Sequence, residues 1–137
     1  MSVPFVVRVP LRFAHCDPAG IAYYPRYFEL ADGVIEDWTE QVVGVPRRVL
    51  HLERGLALPT VALTSTFAAV SRLGDALDFR LTVERLGTSS IDLALDVRCG
   101  DEHRFAARYT QVLVETAGMR AIAWPAPWRE RIEETMA

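Results

Sequence analysis

Lysine and asparagine are absent from this chain, so all 15 of its basic residues are arginine. That is a bias of composition and carries no functional content. No basic stripe accompanies it: 18 acidic residues leave a net charge of −3, which argues against nucleic acid as a partner. Cysteine is scarce. Cys16 and Cys99 make no disulfide framework, and they read as two reduced thiols in a cytoplasmic protein. No apolar run approaches the roughly 20 residues that a membrane helix needs, so no membrane partner is expected. Residues 1–13 are apolar in places, but Pro4, Arg8 and Pro10 interrupt them, which excludes the apolar core of a signal peptide. His15, His51 and His103 have no metal-ligand spacing with one another or with either cysteine, so no metal is expected. The glycines do not form a phosphate loop.

What is present reads as one domain over residues 1–137. At this length a fold buries roughly 68% of its unfolded surface without disulfides or metal. Half of the residues are hydrophobic, which excludes a largely disordered chain. Val3, Phe5, Val7, Val9, Leu11 and Phe13 recur at period two and predict a strand with a ragged or edge position, given its prolines. A turn follows at Asp17-Pro18-Ala19-Gly20. Tyr27, Phe28, Ala31, Val34, Ile35, Trp38 and Val42 then fall in one arc at 100° per residue, the apolar stripe of a long helix. Pro25 suits its start, and Gly44 with Pro46 suits its end. A shorter helix is expected over Arg47–Arg54.

The second half alternates. A strand spans roughly Ala57–Val70. Leu77, Phe79, Leu81 and Val83 form one inward row, Ile91, Leu93, Leu95 and Val97 the next, and Phe105, Ala107 and Tyr109 a third. Glycine turns separate them, the pattern of an antiparallel meander with one polar face. Pro125–Met136 predicts a terminal helix. Packing the sheet around the long helix gives an α+β architecture, the hotdog pattern, with five or six strands. Its open sheet edge calls for pairing with another subunit.

The densest cluster of unusual choices is residues 13–28, where a strand ends in a carboxylate, a Pro-Gly turn follows and a helix begins. The first amides of a helix lack internal partners and sit at the positive end of its dipole. An acyl carbonyl placed there would find donors for a developing oxyanion. Asp17 could stand beside the same carbonyl, or merely initiate an Asx turn. His15 and Asp17 can share a side of an extended segment, whereas Cys16 faces away from both, so no triad forms. Asp32 sits at the edge of the helical stripe, where a carboxylate is either solvated or reaches a pocket at a subunit interface. Tyr23, Tyr24 and Tyr27 either pack or line an acyl slot.

Cys16-Asp17-Pro18-Ala19-Gly20-Ile21, followed by Tyr24-Pro25 and Tyr27, resembles the 4-hydroxybenzoyl-coenzyme A thioesterase family of hotdog enzymes. The likeness extends through Glu53-Arg54-Gly55 and Pro59 to Phe67. It implies that Asp17 is the catalytic carboxylate, nucleophile or base, and that the Tyr24 backbone amide donates to the thioester carbonyl. It matches Asp32 to a position that, in the aryl-specific members, accepts a hydrogen bond from the substrate's ring hydroxyl. It also implies homotetramers of hotdog dimers, with sites at subunit interfaces. The aryl-specific members carry a basic run before the serine matching Ser90, to hold coenzyme A phosphates. Here the turn reads Arg85-Leu86-Gly87-Thr88-Ser89-Ser90, with only Arg85 basic, which resembles the broader acyl-coenzyme A thioesterases of the family more than the aryl-specific ones. The expectation is an acyl-coenzyme A thioesterase in which coenzyme A belongs to the substrate and no further cofactor is needed. Tyr23, Tyr27, Arg85, Ser89 and Ser90 join Asp32 as substrate-binding candidates. An acyl-carrier-protein or short-chain acyl thioesterase, a hotdog dehydratase and a non-catalytic acyl-coenzyme A-binding protein are the alternatives.

Overall fold

The computed structural model describes residues 2–136. The chain starts with strand β1, Phe5–Pro10, which alternates half-buried and exposed positions. After a 3-10 turn at Phe13–His15 and the Asp17 loop comes helix α1, Tyr24–Trp38. Its buried side chains are Tyr27, Ala31, Val34, Ile35 and Trp38, at the spacing that places one helical stripe against a core. The helix runs on through a π turn, Thr39–Val43, and Gly44 ends it in the left-handed region at φ 85°. A second π turn covers Val49–Glu53.

Short strand β2, Leu56–Ala57, leads to β3, Thr60–Phe67. The meander β4, Ala76–Leu86, β5, Ser90–Cys99, and β6, Glu102–Val112, follows. Strands β7, Val114–Glu115, and β8, Arg120–Ala121, join β2 in a small separate sheet, and α2, Ala126–Met136, ends the described chain. The main sheet has five strands in the order β1-β4-β5-β6-β3, with every adjacent pair antiparallel. Its inner face holds all three predicted rows, from Leu77 to Tyr109, each nearly or wholly buried against α1.

The expected α+β hotdog architecture is borne out, with three local corrections. The first strand stops at Pro10 instead of Phe13, and Phe13 is 79% exposed. Leu11 spends its backbone N–H on Asp75 O and its carbonyl on Gly74 N–H, which turns the chain away before Phe13 can pair. In the helix the apolar residue fully buried after Trp38 is Val43, not Val42, because an i→i+5 turn advances the phase of the stripe by one residue. The strand expected over Ala57–Val70 divides into β2 and β3 on either side of Pro59, which lacks the N–H a continuous ladder needs.

Strand β3 differs from every other strand of the main sheet. All eight of its residues are exposed. Val61, Leu63 and Phe67 lie along it in the open. A long apolar edge strand of this kind is a template for another chain.

Candidate active site

The Asp17 loop is held on both sides by backbone hydrogen bonds. Across the loop, Asp17 N–H donates to Ile21 O at 2.9 Å and Tyr23 N–H to His15 O at 2.9 Å. On its other side, Ala22 N–H donates to Ser71 O and Leu73 N–H to Gly20 O, both at 2.9 Å. The loop is thus the middle strip of a small ladder between its own return and residues 71–73. Gly20, at φ 77°, makes the reversal that a side chain would strain. Asp17 is half-buried, and its Oδ1 accepts the Ala19 N–H at 2.9 Å. This is the Asx turn, and it leaves the second carboxylate oxygen free of the loop.

His15 Nδ1 accepts the Arg12 N–H at 2.9 Å, so this ring braces the turn before the loop. Burial and the neighbouring Asp17 push the Cys16 thiol up, which keeps it protonated and poorly nucleophilic.

Helix α1 begins at Tyr24. Pro25 has no N–H, and Arg26 N–H donates to Tyr23 O at 2.8 Å. The Tyr24 amide has no acceptor within the helix, and it opens the helix at the positive end of its dipole. Beside it lies a pocket of about 350 Å³, lined by Ile21, Ala22, Tyr24 and Tyr27 on one side and by Phe67 through Ser71 on the other. Phe67 stands among Tyr24, Tyr27 and Phe105 at centroid separations of 6.0, 6.0 and 5.1 Å. An aromatic or broad apolar group suits such a wall. Tyr23 is not part of it.

Asp32 lies about two turns into α1 from Tyr24 and borders a separate polar cavity of about 240 Å³ with Glu36, Arg47, Thr60 and Gln111. Loss of hydration there holds the Asp32 carboxyl above its ordinary value; Arg47 opposes the shift and Glu29 adds to it. Gln111 Nε2 donates to Thr60 Oγ1 at 3.0 Å, while its Oε1 is buried without a partner among the described residues.

Arg85, Ser89 and Ser90 are elsewhere. Arg85 is exposed at a register shift in β4. The turn's carbonyls are tied to the C-terminal segment: Trp124 N–H donates to Thr88 O at 3.0 Å, Trp124 Nε1 to Ser90 O at 3.2 Å, and the Arg129 guanidinium to Gly87 O. Arg129 is a second guanidinium at this turn, invisible to a reading that looked only for neighbours in sequence. The Asp17 loop adjoins the Ala76 end of β4 and the turn follows its Leu86 end. At about 3.4 Å per residue the 11 residues of that strand separate the two by about 35 Å. One protomer therefore sets Tyr24 and Tyr27 on the apolar pocket with the Asp17 loop adjoining it, Asp17 itself not among the lining residues, and holds Arg85, Ser89 and Ser90 apart from them. An open groove of about 720 Å³ lies on the sheet's outer face among Arg80, Asp96 and Arg108, and none of these candidate residues lines it.

A five-stranded antiparallel sheet wrapped around one long helix matches a known group. The sequence fits the profile of the Thioesterase-like superfamily over residues 11–132. The chain belongs to that superfamily. Its fold resembles that of the dynemicin thioesterase, at 20% identity and a TM-score of 0.86, covering 97% of both chains. It is similar to the 1,4-dihydroxy-2-naphthoyl-CoA thioesterase of Synechocystis, at 19% identity and a TM-score of 0.86, covering 98% of this chain and 99% of that one. It is also similar to the 4-hydroxybenzoyl-CoA thioesterase of Pseudomonas sp. strain CBS-3, at 25% identity and a TM-score of 0.84, covering 93% and 98%. No curated protein sequence matches the chain. The superfamily's members are hydrolases of thioesters, and among the described residues no helix is long and apolar enough to cross a membrane.

Proposed function

We propose that this thioesterase hydrolyses an acyl-coenzyme A thioester whose acyl group is aromatic and ring-hydroxylated. The observation that carries the reading is the stitched Asp17 loop: it holds a half-buried carboxylate, and its return, Ile21 and Ala22, lines the same aromatic-walled pocket as Tyr24, whose amide is unclaimed. The Tyr24 amide holds the carbonyl oxygen as it gains charge. Asp17 takes a proton from water as the oxygen of that water bonds to the acyl carbon, or it attacks that carbon itself and expels the coenzyme A thiolate, leaving an anhydride that water then opens with release of a proton. The carbon–sulfur bond breaks, the proton passes to the coenzyme A thiolate and the free acid leaves. Coenzyme A enters as part of the substrate.

The working unit in this reading is a homo-oligomer, a dimer of hotdog dimers. Antiparallel pairing of two exposed β3 strands about a two-fold axis sets the Phe67 end of one beside the Thr60 end of the other. The partner's Asp32 cavity and its Arg85–Ser90 turn, both at the Thr60 end, then approach this Asp17 and Tyr24. Asp32 accepts the ring hydroxyl, while Arg85, with Ser89 and Ser90, meets the coenzyme A phosphates. Two of the similar structures carry hydroxyaryl-CoA substrates in their names, and the aromatic wall supports that choice over a short-chain acyl group.

Thiol release from benzoyl-, 4-hydroxybenzoyl- and short-chain acyl-coenzyme A, and from an acyl carrier protein thioester, tests the reading. Fastest release from the hydroxybenzoyl thioester supports it. Release only from the carrier protein thioester favours the alternative donor. Tight binding with no release makes the chain an acyl-coenzyme A-binding protein.

A further inference from the structure

Ser71 is 1% exposed, yet it lines the apolar pocket. Its Oγ lies 2.7 Å from the Tyr27 hydroxyl oxygen. Arg104 Nη1 donates to it at 3.2 Å and to Asp75 Oδ2 at 2.7 Å, so the guanidinium is pinned from a second side. Tyr27 is pinned as well, its ring stacked on Phe105 at 4.6 Å and 7°.

Each hydroxyl has one proton to donate and two lone pairs to accept with. Ser71 and Tyr27 hold two such protons between them. The bond joining them uses one, whichever oxygen donates. Arg104 has only donors and takes up neither. Neither oxygen has another acceptor within hydrogen-bond distance among the described residues. One hydroxyl proton is left over on a pair that faces the pocket. An unmade hydrogen bond in such an enclosed place costs about 1–3 kcal/mol, so the arrangement is one that a ligand oxygen completes.

We propose that this spare hydroxyl proton is a second donor to the thioester oxygen, working with the Tyr24 amide; the proposal rests on the thioesterase reading of the pocket. Arg104 fills a lone pair of Ser71 with a charged donor and so polarises the pair toward an oxygen that is gaining negative charge. The bond strengthens as the carbonyl carbon becomes tetrahedral and therefore favours the transition state over the bound substrate. Whichever of Ser71 and Tyr27 carries the spare proton touches the reacting oxygen, and the other orients it. Arg104, held by Asp75, is a positioning residue.

The proton count sets the test. Ser71→Ala and Tyr27→Phe each leave one hydroxyl proton, whereas the double variant leaves none. The double variant loses about ten- to a hundredfold in kcat, with KM within about twofold; each single variant loses less, and Ser71→Thr, which keeps a hydroxyl, restores the rate. A second readout does not need turnover. A phenacyl-coenzyme A thioether carries a ketone that cannot be hydrolysed. Its infrared carbonyl band moves to lower frequency on the wild-type protein, and the hydroxyl part of that shift disappears on the double variant; if the double variant does not fold, Ser71→Ala, which keeps the Tyr27 proton but loses the Arg104 contact to the pair, shows a reduced shift. An unchanged kcat, a loss expressed wholly in KM, an identical carbonyl band in wild type and variant, or a ketone that does not bind each overturns the proposal. A protein that hydrolyses no thioester but shows the variant-dependent band defeats the thioesterase reading and leaves the donor assignment standing.

Discussion

The two ends of the main sheet are built from opposite materials. At the Asp17 end, hydrogen bonds brace a loop from both sides and leave one amide, one carboxylate oxygen and one hydroxyl proton uncommitted. At the Gly87 end, the backbone carbonyls are consumed by Trp124 and Arg129, and the exposed Arg85 guanidinium is what remains uncommitted. The first end carries the carboxylate, the amide and the apolar slot, and its exposed guanidiniums, Arg12 and Arg72, do not line that slot. The second can meet a phosphate but has no carboxylate placed for catalysis. With about 35 Å between them, neither is a complete site, and the bare β3 edge that runs from one end to the other is the element that can join them.

The largest effect follows from removing the carboxylate. Asp17→Asn keeps an oxygen for the Ala19 N–H, so the turn survives, but an amide is neither base nor nucleophile. Turnover falls by at least about a hundredfold with thermal stability unchanged, as thiol release and a melting curve on the same sample will show. A variant near the wild-type rate would reduce Asp17 to a turn residue.

Asp32 comes next, as the part of the site assigned to the partner. A hydrogen bond to a charged acceptor is worth about 1.5–3 kcal/mol, or about 10- to 100-fold in kcat/KM. Asp32→Ala erases that preference for 4-hydroxybenzoyl- over benzoyl-coenzyme A and leaves the unsubstituted substrate nearly untouched. An Asp32 that is only solvated gives a variant identical to wild type on both.

Arg85→Ala acts through KM. An exposed ion pair contributes about 0.2–1 kcal/mol, so KM rises by up to about fivefold while kcat holds, and high salt erases the difference. An unchanged KM means that the phosphates lie elsewhere.

The smallest effect concerns the bracing of the loop. The Arg104 guanidinium and the Arg72 N–H hold the Asp75 carboxyl below its ordinary value of 3.8. A depressed carboxylate stabilises the fold above its unfolded pKa, and that contribution is lost as pH falls through the folded value. Asp75→Asn is therefore less stable than wild type at neutral pH, and the gap narrows below about pH 3.8. A constant gap in denaturant melts across that range removes Asp75 from the bracing.

Much of this was legible in the sequence, for a physical reason. Rows such as Leu77–Val83 and Ile91–Val97 read correctly because each strand has one buried face, which forces period two. The Asp17 loop was legible because Asp-Pro and a left-handed Gly20 punctuate it. Three things were not. The π turn that buries Val43 in place of Val42 follows from packing, not from local propensity. Ser71 and Arg104 are 33 residues apart and meet only because residues 68–75 fold back over the end of β6, with Ala68 N–H donating to Arg104 O at 2.9 Å. Arg129 reaches Gly87 across 42 residues. Alternation shows which face a residue takes, but not which distant side chain comes to stand against it.

The shared site is tested most directly at Leu63, which is 43% exposed on β3 in the single chain and would lie in the joint between two copies. Leu63→Glu puts a charge on that edge at little cost to the isolated fold. Sedimentation and thiol release measured on the same sample decide the matter. The account predicts that the wild type is an oligomer and that the variant is a folded monomer without thioesterase activity. A folded monomer that hydrolyses its substrate at the wild-type rate per chain would contradict it.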